Sequence, residues 1–118
     1  MKVHSYQNLI VWQKAMNLIV AIYKLTDKFP KSEIYGLTSQ MRRAAISIPS
    51  NIAEGFKRKS LKDSLHFYNV AQGSLEELKY QILLTKDLKY ISENSYKELI
   101  SLSEEVGKLL NGWIKIQR

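Results

Sequence analysis

Apolar positions recur at helical spacing along almost the whole of this chain. Leu9, Trp12, Met16, Ile19 and Tyr23 follow one another at intervals of three and four, flanked by Ile10, Val20 and Ile22, and the pattern stops at Phe29-Pro30. Such intervals place side chains on one face of a helix, and proline disfavours helical backbone at the residue before it, so the spacing predicts a first helix over about 9–28. After the connection Lys31-Ser32-Glu33-Ile34-Tyr35-Gly36, the stripe Met41, Ala45, Ile48, Ile52, Phe56 predicts a second helix over about 37–57. Ser60 followed by Asp63 is a variant capping box that opens a third helix. Its apolar face of Leu61, Leu65, Tyr68, Ala71, Leu75, Leu78, Ile82 and Leu88 carries it over about 60–89, some 45 Å at the helical rise. Ser92 caps a fourth helix over about 92–116, with Tyr96, Leu99, Ile100, Val106, Leu109, Leu110, Trp113 and Ile114 on its apolar side.

Proline occurs only at positions 30 and 49 and glycine is sparse, so the turn signals of an all-β chain are missing. Four helices joined by short polar links force sequential neighbours, and the expected fold is all-α: an antiparallel up-down four-helix bundle filling residues 1–118 as a single domain. Pro49 lacks the hydrogen that would bond the Ala45 carbonyl, a defect of about 3 kcal/mol inside a straight helix, so helix 2 is expected to be kinked near Pro49.

Helix 2 divides into three strips. Met41, Ala45, Ile48, Ile52 and Phe56 form a core strip. Tyr35, Ser39, Arg42, Ile46, Pro49 and Ala53 form a second, small and apolar apart from one Arg. Two uses are open for it: a close contact with helix 3 at Ala71, Gly73 and Ser74, or a subunit interface, to which Ile10, Val11, Val20 and Ile22 of helix 1 would add. Arg42 on this side calls for a carboxylate such as Glu76 or Glu77, making a structural ion pair its expected role. The third strip, Gln40, Arg43, Ser47, Ser50, Asn51, Glu54 and Arg58, is polar throughout and suits phosphate. Arg43 and Arg58 are about 22 Å apart along the helix, so they would meet separate phosphates.

Charge gives that strip its weight. The chain carries a net charge of +7. Residues 1–60 contain 10 Lys and Arg against 3 Asp and Glu, whereas residues 61–118 contain 8 of each, so the whole excess lies in the first half. Such asymmetry fits a polyanionic partner, RNA or DNA, because phosphates attract Lys and Arg and release counterions when neutralised. It equally fits a solvated surface that confers solubility. The candidate nucleic-acid-binding residues are Arg43, Arg58, Lys57, Lys59, Lys14 and Asn51; Lys57, Arg58 and Lys59 also complement the negative end of a helix dipole.

Catalytic and cofactor chemistry finds little support. His4 and His66 are the two imidazoles, and cysteine is absent, which fits a cytoplasmic setting. Asp63-x-x-His66 shares a helix face but lacks the paired Glu-x-x-His motifs of a di-iron bundle, and no phosphate loop, nucleophile elbow or zinc helix occurs. No metal, cofactor or catalytic residue is therefore expected. Small helical RNases of the HEPN type carry Arg, four to six residues, then His; here Arg58 and His66 have seven between them. The longest apolar run, Leu18 to Tyr23, is far too short to span a membrane, and the amino terminus has no apolar segment of leader length.

Several strings resemble a known family, the small proteins encoded in intervening sequences of bacterial 23S rRNA genes. They are Val11-Trp12-Gln13-Lys14-Ala15, Phe29-Pro30 with Glu33, Tyr35 through Ala45, Ser47 through Gly55, and Gly73-Ser74-Leu75-Glu76-Glu77-Leu78. The resemblance implies an antiparallel four-helix bundle assembled as a ring-like homopentamer, with no established enzyme activity. A related branch, the accessory proteins of diversity-generating retroelements, is similar to a basic pentameric barrel that binds nucleic acid and a reverse transcriptase. Where such sequences often have Gly before the aromatic that follows helix 3, this chain has Lys89 before Tyr90, which makes a left-handed cap harder. The expected function is a non-catalytic homo-oligomer that binds structured RNA. The alternatives are a scaffold or accessory subunit for a protein partner and, behind both, a cryptic RNase.

Overall fold

A computed structural model describes residues 4–117. Residues 1–3, which open the terminus read above for a leader, and Arg118 lie outside the described residues. Four α-helices account for most of the chain: α1 (Ile10–Thr26), α2 (Ser39–Lys57), α3 (Leu61–Asp87) and α4 (Glu93–Gln117). Sequential helices are neighbours, and α1 packs on α4 to close the bundle, which measures 44 × 25 × 19 Å. Its long dimension matches the length of α3.

The caps expected from sequence are present. The Ser60 hydroxyl accepts from the Asp63 amide at 3.1 Å, and the Ser92 hydroxyl accepts from the Ser95 amide at 3.1 Å. At the end of α3 the chain forms a Schellman turn: the Tyr90 amide donates to the Thr85 carbonyl and the Lys89 amide to the Lys86 carbonyl, both at 2.9 Å. Lys89 takes the left-handed conformation there, with φ 63°, so the turn that glycine would ease is made with lysine.

The connection from α1 to α2 is more structured than a polar loop. A 3-10 turn over Lys31–Glu33 leads into a π-type turn over Ile34–Thr38, which runs directly into α2. The Glu33 carboxylate accepts from the Leu37 amide at 3.1 Å and from the Tyr90 hydroxyl at 2.8 Å. It thereby ties the α1–α2 connection to the α3–α4 turn, where the Phe29 and Tyr90 rings lie 5.3 Å apart. Gly36 makes room for this: a Cβ there would lie 2.7 Å from a Glu33 carboxylate oxygen.

The core contains Met41, Ala45, Ile48 and Ile52 from α2, Tyr68, Ala71, Leu75, Leu78 and Ile82 from α3, and Leu99, Val106, Leu110 and Ile114 from α4. α2 continues through Pro49, which is itself buried. Helix α1 departs from the reading of its stripe. Its buried residues are Val11, Ala15, Leu18, Ile22 and Thr26, whereas Met16 and Tyr23 are more than a third exposed and Trp12 and Ile19 are only partly covered. Ala15 and Thr26 let α1 approach closely, and the Thr26 hydroxyl satisfies itself on the Ile22 carbonyl at 2.7 Å, so the smaller face wins the core.

Candidate nucleic-acid interface

The second strip of α2 faces α1, not α3. Between the two helices runs a furrow, one half of about 580 Å³ walled by Tyr23, Phe29, Lys31, Ile34, Thr38, Arg42 and Arg43, among others. Its other half, of about 530 Å³, is walled by Tyr6, Trp12, Met16, Ile19, Pro49 and Ala53, and Ile46 borders both. The contact with α3 is made by other residues. The Ser47 and Ser74 hydroxyls are 2.8 Å apart, and Gly55 abuts the Tyr68 ring, while Gly73 has nothing within 4 Å of where a Cβ would be. The strip-to-α3 contact expected for Ile46, Pro49 and Ala53 is thus corrected: only Ala71 and Ser74 of the three small α3 residues take part in packing.

Arg42 is also corrected. It does not pair with Glu76 or Glu77, which sit beside Lys79 and Gln81 on α3. Its guanidinium lies over the Tyr23 ring at 4.3 Å and donates from Nε to the Thr26 hydroxyl at 2.9 Å and from Nη2 to the Tyr23 carbonyl at 3.5 Å. An aromatic face and the carbonyl end of α1 thus do what a carboxylate was expected to do.

The six candidate contact residues do not form one face. Arg43 is exposed near the start of α2 and borders the furrow. Lys57, Arg58 and Lys59 cluster at the opposite end of α2, with the Lys57 ammonium 5.8 Å above the Tyr6 ring. Arg58 pairs with the Glu54 carboxylate and lies 5.0 Å over the Phe67 ring, so its charge is partly answered within the chain. Lys14 points toward α4 and meets Glu105 at 3.5 Å. Asn51 is half-buried and donates to the Ser47 carbonyl and hydroxyl at 2.8 and 2.9 Å, which commits its amide nitrogen to the α2–α3 seam. Arg43, Lys57 and Lys59 are the members with no carboxylate within 4 Å among the described residues.

What the sequence strips missed is Lys31, which the 3-10 turn carries to the same furrow as Arg42 and Arg43. A connection of six residues gave no periodicity from which to place it. Among the described residues no group of three His, Asp or Glu side chains could hold a metal ion, and no helix is long and apolar enough to cross a membrane.

The sequence profile of the 23S rRNA-intervening sequence proteins matches residues 7–112. The chain belongs to this family. A solved structure of a family relative, a protein of unknown function from the S23 ribosomal protein family of Bacteroides thetaiotaomicron, is similar over 90% of this chain and 99% of its own, with 28% identity and a TM-score of 0.80. No curated protein matches the chain. Membership in the intervening-sequence family therefore comes with the four-helix architecture and with a solved relative whose function is itself unknown.

Proposed function

We propose that this intervening-sequence protein is a non-catalytic homo-oligomer that binds nucleic acid, structured RNA in particular, through the basic layer formed by α1, α2 and their links. One observation carries the reading. Among the described residues, 4–60 hold nine Lys and Arg against three Asp and Glu, and this excess becomes a spatial segregation because α1 and α2 pack side by side as one half of the bundle. Arg43, Lys57 and Lys59 remain on that half without carboxylate partners among the described residues, at both ends of α2. Separated cations of this kind suit successive backbone phosphates and little sequence readout. Self-association is supported by Ile10, Met16, Val20 and Ile46, each 38% exposed or more on α1 and α2.

Retention of a structured RNA measured against salt tests the reading. Binding is expected to weaken linearly in log–log form, and Arg43→Ala, Lys57→Ala and Lys59→Ala together should shallow the slope by about 2. No retention even near 50 mM salt, or an unchanged slope, would refute it. The same exposed apolar groups favour a second reading, a scaffold that docks another protein; recovery of one defined partner after nuclease treatment, with RNA retention absent, would support that instead.

A further inference from the structure

The Arg42 end of the furrow differs from its other half in being lined by cations. Lys31, Arg42 and Arg43 border it against a single carboxylate, Asp27, and among the described residues none of these cations lies within 4 Å of any carboxylate. Arg42 is not a waving surface group: Tyr23 and Thr26 hold its guanidinium in place, yet only two of its five N–H donors are engaged. The Tyr23 ring and carbonyl answer part of the Arg42 charge and hold the group in place, and its spare donors are left for an anion.

Thr38 is 93% buried in the wall of this cavity, and its hydroxyl has no hydrogen-bond partner. Its oxygen is itself covered, so the cations of the wall, not this hydroxyl, are the groups open to a ligand. Ser39 and the apolar Phe29, Pro30, Ile34 and Ile46 form the remaining wall, and the volume of about 580 Å³ lies within the range of small-ligand sites.

We propose that this cavity binds a phosphate monoester attached to a nucleoside, with Lys31, Arg42 and Arg43 on the phosphate and the apolar wall against the base or ribose. Three cations against one carboxylate leave two positive charges, which match a monoester that is close to dianionic at neutral pH rather than a singly charged carboxylate or internal phosphodiester. The choice of a nucleotide rests on the nucleic-acid reading above. A free mononucleotide and the 5′-phosphorylated end of an RNA share this chemistry.

The test is titration of the full chain, followed by amide NMR, with inorganic phosphate, uridine 5′-monophosphate and acetate, then with one short RNA bearing either a 5′-phosphate or a 5′-hydroxyl. Phosphate and the mononucleotide should shift the Thr38, Ser39 and Arg43 amides saturably. Arg43→Ala and Lys31→Ala should each weaken the mononucleotide about tenfold, the effect of one lost charged hydrogen bond, whereas Lys115→Ala on α4 should not. The inference is overturned by any of four results: no saturable shift by about 10 mM, equal binding of acetate, an unchanged mononucleotide affinity in the Arg43 and Lys31 variants, or RNA that binds here as well with a 5′-hydroxyl. RNA retention without a mononucleotide response removes this site and leaves the basic layer standing. Mononucleotide binding without RNA retention does the reverse, and assigns the site to a free nucleotide.

Discussion

Gly55 and Lys89 show how single residues are judged by their surroundings. Glycine inside a helix is ordinarily less stable than alanine by about 1 kcal/mol, so Gly→Ala would be expected to help. At position 55 the added Cβ would lie 2.5 Å from Tyr68 Cε1 and 3.0 Å from the Ser64 carbonyl oxygen, and Tyr68 is only 1% exposed. Neither neighbour can yield cheaply, so Gly55→Ala is expected to destabilise the fold by about 1–3 kcal/mol in urea unfolding. Gly112→Ala, where nothing lies within 4 Å, is the control and should stabilise slightly. At Lys89 the sign is opposite. Left-handed backbone costs a non-glycine residue about 1–2 kcal/mol, partly offset by the greater freedom of glycine in the unfolded chain, so Lys89→Gly should raise stability by about 1 kcal/mol. Equal stabilities would show that Lys89 gains a compensating contact.

At the scale of elements, the Glu33–Tyr90 bond joins two turns at one end of the bundle that are far apart in sequence. The Leu37 amide, and after it the Tyr90 hydroxyl, hold the Glu33 carboxyl below its ordinary value of 4.5, while the same carboxylate raises Tyr90 above its ordinary 10.0. A depressed carboxyl stabilises the fold fully above its unfolded value and loses that contribution as pH falls through the folded one. A raised phenol contributes fully below 10.0 and loses its share as pH rises past it. Unfolding measured from pH 3 to 7 should therefore show stability falling on the acid side, less steeply in Glu33→Gln; identical profiles would show that this latch carries none of the dependence. Helix α1 teaches a related lesson about faces. Beyond Leu9, which is buried, Trp12, Met16, Ile19 and Tyr23 form the bulkier stripe, but bulk favours whichever face has room, and a bundle seam with Ala15 and Thr26 in it has little.

For the whole molecule, the charge halves of the sequence become the two layers of the bundle only because α1 and α2 lie side by side. The same packing separates the cations by role. Lys14 and Arg58 are drawn into ion pairs, Arg42 onto Tyr23, and Arg43, Lys57 and Lys59 are left outward at the two ends of α2.

The order and type of the four helices, their caps at Ser60 and Ser92 and the core strip of α2 were legible in the sequence by itself, because helical periodicity and capping are local and repeat over many residues. The strings shared with the intervening-sequence proteins were legible for the same reason: they are contiguous. Three features were decided by tertiary structure alone. They are the face of α1 that enters the core, the partner of Arg42, and the meeting of Lys31, Thr38, Arg42 and Arg43 in one cavity. Each depends on how close two helices come and on the path of a non-periodic turn, and neither quantity is written in the spacing of residues along one helix.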